Sequence, residues 1–321
     1  MHGENHLCYT RGREEDFMSK KFYGNLLLFL TAFIWGTSFV AQVLGGQSSI
    51  GPFTFNFSRN LVAGFFLLII VIPFLSSRDK KANNGVAPVK GDQKTLILGG
   101  ISCGLALFFA MTFQQIGIME STAGKAGFIT ALYIVIVPLL GVFIGKRVTL
   151  KMWACVVIAA IGMYLLSFKS GFNIGKGDIL LLICAVLFSI HILVIDHFSP
   201  KVDGVKMSCI QFFVSALLSL ILALVKENVV FANILESAIP ILYVGILSSG
   251  IGYTLQIVAQ KDTDPTVASL ILSLESVFAA ISGAIYLHER MTPRELLGCA
   301  IMMAAIVYAQ VPEKRKLGKL N

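Results

Sequence analysis

The sequence predicts an all-α integral membrane protein with ten transmembrane helices, arranged as two inverted repeats of five. Three observations carry this. First, the 321 residues are 56% hydrophobic and only 14% charged, well short of the roughly 25% charged residues of soluble domains. Second, the apolar residues come in long uncharged blocks, such as Met207 to Val225 and Ser237 to Gln260. Blocks of roughly 20 residues match the ~30 Å hydrocarbon core of a bilayer. Third, segments of the first half recur in the same order in the second, which is the signature of an internal repeat.

Charge clusters and turn formers place the spans at about 22–43, 51–75, 95–118, 122–145, 150–168, 178–196, 206–225, 237–259, 265–287 and 295–312. Their longest connection, "SSRDKKANNGVAPVKGDQK", is polar and reads as a solvated loop. With a cytoplasmic N-terminus, the loops and tails of that side carry 19 basic residues and the opposite side carries 6. This positive-inside asymmetry predicts two cytoplasmic termini, with the chain in the cell's inner (plasma) membrane. The formal charge of +8 is accounted for in the same way, and no nucleic-acid partner is expected. No small-residue cleavage site follows the first span, which therefore reads as a retained helix. Residues 1–17 are polar and match nothing in the repeat, whereas "MSKKFYGNLLLFL" supplies a compact basic tail, so translation is expected to start at Met18.

The repeat shows in three alignments. "YGNLLLFLTAFIWGTSFV" from Tyr23 matches "KGDILLLICAVLFSIHIL" from Lys176, and "FNFSRNLVAGFFLLII" from Phe55 matches "MSCIQFFVSALLSLIL" from Met207, setting Arg59 opposite Gln211. "GKRVTLKMW" from Gly145 matches "HERMTPREL" from His288. The chain thus divides into a tail at 1–21, repeats at 22–171 and 172–312, and a basic tail at 313–321. Five spans per repeat force the second half to enter the membrane inverted. Inverted repeats are the architecture of many secondary transporters, with the substrate site near the midplane.

"LLLFLTAFIWGTSFV", "FNFSRNLVAG" and "SLESVFAAISGAIYLHERMTPRELLGCAIMMAAIV" resemble the EamA-like drug/metabolite transporters over residues 20–312. The resemblance implies ten helices, two EamA-type repeats and movement of a small organic molecule. One departure stands out. Family members often have proline after the Leu-Glu pair of the ninth span, and Ser276 stands there instead.

Glu275 is the principal candidate for a transport role, since an intramembrane carboxylate is a functional-site candidate by default. On a helical wheel it lies with the small and polar residues, including Ser273. It sits at the edge of a bulky sector (Val267, Leu270, Ile271, Leu274, Val277, Phe278, Ile281, Ile285) that is expected to face lipid. Thr31, Trp35, Ser38 and Gln42 form a polar stripe on one face of the first span, suited to a cavity or to tight helix packing. Arg59 is a candidate for an anionic substrate group or a carboxylate, although its place early in the second span favours snorkelling outward. Gln114, Gln115, Lys125, Tyr133, His191 and Gln256 are further candidates to line a path or to make structural hydrogen bonds. Gly100/Gly104 and Gly141/Gly145 have the GxxxG spacing of close helix packing.

No cofactor is expected. There is no GxxxxGK[ST] sequence for ATP, no HExxH pair, and no ligand spacing among Cys8, Cys103, Cys155, Cys184, Cys209 and Cys299. The expected function is alternating-access transport, more as an exporter, of an amino acid, nucleoside, vitamin or drug-like compound. A proton on Glu275 is the candidate coupling ion, and the protein is a monomer or homodimer. The rival readings are a membrane-embedded enzyme and a scaffold without transport.

Overall fold

A bilayer offers the backbone no water, so a chain of this composition has to satisfy its own N–H and C=O groups in helices. The computed structural model of the protein describes residues 3–47, 50–82, 92–121, 123–167, 175–286 and 292–311, and among these it is helical with no strand. The basic tail at 313–321 lies outside the described residues. Met18 lies in a helical stretch whose side chains are not described.

Among the described residues eight helices are long and apolar enough to cross a membrane: Lys21–Gly46, Pro52–Ser77, Gln93–Met119, Ala123–Phe143, Lys176–Lys201, Gly204–Lys226, Ala238–Gln260 and Pro265–Tyr286. The fifth and tenth of the ten expected spans are the shorter helices Leu150–Ser167 and Pro293–Gln310. These two lie against each other. A Cβ on Gly162 would fall 2.8 Å from the Gly298 carbonyl oxygen, so the pair meets backbone to backbone. Thr292 and Glu295 close the start of the tenth helix with reciprocal bonds, a capping box.

The third span packs on the sixth and seventh, the second on the seventh and the first on the ninth. Gly100 and Gly104 are the contact points of the third with the seventh. Cβ atoms there would sit 2.5 Å from Ile210 and 2.9 Å from the Gln211 carbonyl oxygen respectively. The Gly141/Gly145 pair is different. Gly145 has φ +84°, a left-handed conformation that only glycine adopts without strain, and it ends the fourth span. That pair marks a helix terminus, not a helix crossing.

The fourth and ninth spans are both broken, and in the same way. The fourth runs as Ala123–Thr130 and Tyr133–Phe143, the ninth as Pro265–Leu272 and Glu275–Tyr286. At each break the chain tightens to i→i+3 bonds: Leu132 N–H to Ile129 O at 3.2 Å and Leu274 N–H to Ile271 O at 3.1 Å. These bonds are related by 142 positions, which makes Tyr133 and Glu275 counterparts, each the first residue of its second half-helix. The ninth span breaks without the proline that Ser276 replaces. Serine hydroxyls take over carbonyls there, Ser273 donating to Leu270 O and Ser276 to Ser273 O, both at 2.7 Å.

The ninth span also corrects the helical-wheel reading. Leu270, Ile271, Leu274 and Val277 are buried, and of the bulky sector Ile281 and Ile285 are exposed. The reason is position. This span is enclosed by the first, fourth and fifth, so its bulky side chains pack on helices, while side chains such as Phe65, Ile69, Phe143 and Leu224 form the outer apolar surface.

Polar contacts fasten the ends of spans. Lys125 meets Asp178, and Lys146 meets Asp196, each at 2.6 Å, joining the fourth span to the sixth at both membrane faces. Glu227, after the seventh span, accepts the N–H groups of Phe53 and Thr54 at 2.8 Å and the Thr54 hydroxyl at 2.6 Å. It caps the second span and ties the two repeats together on that face.

The glycine contact supports a test. Gly104→Val should lower stability by about 1–3 kcal/mol through overpacking, read as a lower unfolding midpoint in detergent. Gly124→Ala should not, because nothing lies within 4 Å of a Cβ built there. Equal midpoints for the two variants would mean that the third and seventh spans do not touch at Gly104.

Candidate functional site

Side chains from seven spans (first to fourth, sixth, eighth and ninth) converge on one cavity. Of the expected residues, Trp35, Arg59, Tyr133, Gln256 and Glu275 line it. Gln42 and Gln114 line it too.

The other expected residues lie elsewhere. Thr31 donates to Leu27 O at 2.9 Å and to Gly252 O at 3.3 Å, joining the first span to the eighth. Ser38 donates to Ile34 O in its own helix, and Ser273 supports the ninth-span break. Gln115 stands behind the wall, its amide 3.4 Å from the Gln42 carbonyl oxygen. Hydroxyls that return their hydrogen bond to a nearby carbonyl need nothing from a cavity.

Arg59 does not snorkel. It is 1% exposed and lies across the bundle, donating from Nη1 to Gln42 Oε1 at 2.9 Å and from Nε to Ser249 Oγ at 3.4 Å. Snorkelling would need an open route to the surface, but Asn56, Ser58 and Asn60 around it are buried as well, and so the second span is enclosed at this level. Among the described residues no carboxylate stands within ion-pair distance of its guanidinium.

Glu275 is 3% exposed, inside the bundle rather than at a lipid-facing edge. Its Oε1 and the Tyr133 hydroxyl both lack a hydrogen bond of good geometry within the protein. The two are electrostatic neighbours at the mirrored breaks of the ninth and fourth spans. Placing a carboxylate in the first turn of a half-helix sets it at the positive end of that helix's dipole.

Tyr253 lies within electrostatic reach of both Arg59 and Glu275. It belongs to a π-helical stretch of the eighth span, Val244–Tyr253. Wider turns of this kind free carbonyls and are frequent at functional sites; here the Ser248 carbonyl accepts from Trp35 Nε1 at 3.2 Å. The Trp35 and Tyr253 rings lie 4.5 Å apart, and Phe188 stacks on Tyr253 at 6.4 Å. Behind this aromatic wall His191 Nε2 meets Gln211 Oε1 at 3.1 Å, and Ser208 meets Thr254 at 2.7 Å. Among the described residues no group of His, Cys, Asp and Glu could hold a metal.

Tyr253, Phe188, Phe39, Thr130, Ile192 and Ser248 were not among the expected residues, yet they line the cavity. A signal existed for two of them. Phe188 and Ile192 stand 153 positions after Trp35 and Phe39, the offset of the first alignment. Nothing in the sequence set Tyr253 apart from seven other tyrosines.

Comparison with known proteins agrees with this architecture. The EamA-like transporter family matches residues 22–168 and 175–309. A protein named as an uncharacterized transporter of Archaeoglobus fulgidus is 32% identical over 289 residues, 90% of this chain and 86% of that one. The Escherichia coli threonine/homoserine exporter RhtA is 37% identical over 70 residues, 22% of this chain and 24% of its own. A solved crystal structure superposes with a TM-score of 0.69 at 17% identity, covering 89% of this chain and 96% of that one, a likeness of fold. With both halves matched and a cavity lined by both, this multi-pass membrane protein belongs to the EamA-like transporter family.

Proposed function

We propose that the protein is a secondary transporter that exports a small organic metabolite by alternating access, with a proton on Glu275 as the coupling ion. The observation that carries this reading is the pair of mirrored breaks: Tyr133 and Glu275 open their second half-helices at one cavity between the repeats. Discontinuous helices in corresponding positions of two inverted halves are where such transporters place substrate and coupling ion. Residues 22–171 and 172–312 are the two units that rock against each other. Trp35, Arg59, Gln256 and Tyr133 contact the substrate, while Thr31, Ser38, Gln115 and Ser273 hold the wall. Export is the direction supported by the partial likeness to RhtA, whose name gives it as a threonine/homoserine exporter. One chain supplies the whole lining, so a monomer suffices, and a homodimer would carry two cavities.

The protein is placed in the inner (plasma) membrane with both termini in the cytoplasm, on the basic asymmetry of 19 to 6. Cysteine labelling with an impermeant reagent in a cysteine-free background tests the orientation. Lys226→Cys should react from outside the cell and Lys261→Cys should not. Labelling of the reverse pattern would invert the assignment.

Glu275→Gln keeps size and hydrogen bonding and removes the titratable charge. The variant should be folded and inserted, with counterflow of substrate in proteoliposomes reduced to background and the pH dependence of wild-type substrate binding abolished. Substrates for this assay come from a thermal-shift screen of amino acids, nucleosides, vitamins and lipophilic cations, since a ligand stabilises the state it binds. A fully active Gln variant would make Glu275 a packing group and remove the proton from the mechanism.

A further inference from the structure

Arg59 is a buried cation without a counter-ion in the chain. Its Nε and Nη1 donate to Ser249 and Gln42, both neutral acceptors. A guanidinium has five N–H donors, and among the described residues the others meet no acceptor and the charge meets no carboxylate. Glu227, after the seventh span, is taken up by the N–H groups of Phe53 and Thr54. Buried charges are ordinarily paired, because desolvating a lone ion is costly. Of the side chains that line the cavity, Arg59 and Glu275 are the two whose ordinary form at neutral pH is charged. Once Glu275 carries a proton, nothing on the wall offsets the guanidinium. The cavity offers about 20 Å³ of free space, on the order of one or two water-sized particles. A metabolite needs roughly 300 Å³, so in this contracted form the site can take a small ion but no organic solute.

We infer that Arg59 is a site for a halide-sized inorganic monoanion, such as chloride, which binds together with the proton on Glu275 when the cavity holds no substrate. This rests on the proton-coupled reading above. Gln42 holds the guanidinium from the first repeat and Ser249 from the second, so the site is built by both halves. Trp35 and Arg59 bond to consecutive residues of the π-helical stretch, Ser248 and Ser249, which sets indole and guanidinium on one length of wall. Charge sets the linkage. With Glu275 ionised the cavity is neutral as a whole, and with Glu275 protonated it is positive. An anion that prefers the protonated form raises the proton affinity by the same factor. Neighbouring groups leave this balance alone. Tyr133, Cys184 and Tyr253 are within electrostatic reach of Glu275, and each is neutral when it holds its proton. The first span has no ionisable residue from Gly24 to Gln47, and the fifth places Lys151 and Tyr164 against Tyr308 and Arg294. Anion and proton together let a substrate-free cavity change access without carrying a bare charge.

Thermal unfolding of the purified protein in sodium chloride, against sodium gluconate at equal ionic strength, tests it, since gluconate is too large for the site. Chloride should raise the wild-type midpoint at acidic pH. Its Kd should rise with pH, by up to about tenfold per unit once Glu275 ionises. Glu275→Gln, which imitates the protonated carboxyl, should bind chloride equally at every pH. Gln42→Glu sets a carboxylate against Nη1 and should abolish the chloride response. That variant supplies a partner instead of removing one, so a midpoint in gluconate no lower than the wild type's shows that the fold is kept, and it subtracts general salt effects. In a Trp153→Phe background Trp35 is the sole tryptophan, and iodide should quench it saturably, with chloride competing. Equal wild-type midpoints in the two salts at acidic pH, or a Gln42→Glu protein that answers chloride as the wild type does, would overturn the site. The two readings fail separately. Proton-dependent counterflow of substrate with no chloride effect overturns the anion site and leaves proton-coupled transport. Chloride binding that ignores pH, beside a fully active Glu275→Gln, overturns the coupling proton and the linkage with it.

Discussion

Hydrocarbon cannot hydrogen-bond, so every break in a membrane-spanning helix and every buried charge needs a partner supplied by the protein or by a polar space inside it. The architecture follows from that constraint. The two broken spans, the π-helical stretch of the eighth span and the Arg59 and Glu275 side chains all converge on one cavity, where irregular backbone and charge are tolerated. Elsewhere glycines bring helices into backbone contact and large apolar side chains face outward. The cavity is therefore the place in the bundle where the rule of internal satisfaction is relaxed.

The two repeats keep a common frame and have diverged in chemistry. The breaks share their tightened i→i+3 bond at an offset of 142, yet one presents Tyr133 and the other Glu275. The second and seventh spans place Arg59 opposite Gln211. The cation is fixed by Gln42 and Ser249 and reaches the cavity, whereas the amide is paired with His191 behind the aromatic wall. Trp35 and Phe39 answer to Phe188 and Ile192, and all four line the site. A symmetric scaffold thus carries a polarised lining, with cation and carboxylate drawn from different repeats.

Much of this was legible in the sequence, for physical reasons. Block hydrophobicity sets span number because bilayer thickness fixes helix length. The ten-span frame followed from it, even with the fifth and tenth helices shorter than the rest. Glu275 and Arg59 stood out because charges within apolar spans are conspicuous. Orientation of side chains was less legible. A helical wheel assumes an unbroken helix with lipid on one side, and the ninth span is neither unbroken nor at the periphery. Gly141 and Gly145 share a spacing with Gly100 and Gly104, but spacing does not report the φ of +84° that makes Gly145 a terminus. Tyr253 was hidden because an aromatic residue in an apolar span looks the same whether it faces lipid or a cavity.

The serine-supported break of the ninth span differs in kind from one imposed by proline. A proline ring removes an N–H and clashes with the preceding turn, so its kink is written into the covalent chain and persists in every conformation. Ser273 and Ser276 achieve the bend with rotatable hydroxyls and leave all the N–H groups in place. A bend of that kind is mendable. Its hydrogen bonds can be exchanged for ordinary helical ones without any steric barrier from the residue itself, so this chain carries beside Glu275 a joint whose angle is set by bonding rather than by covalent shape.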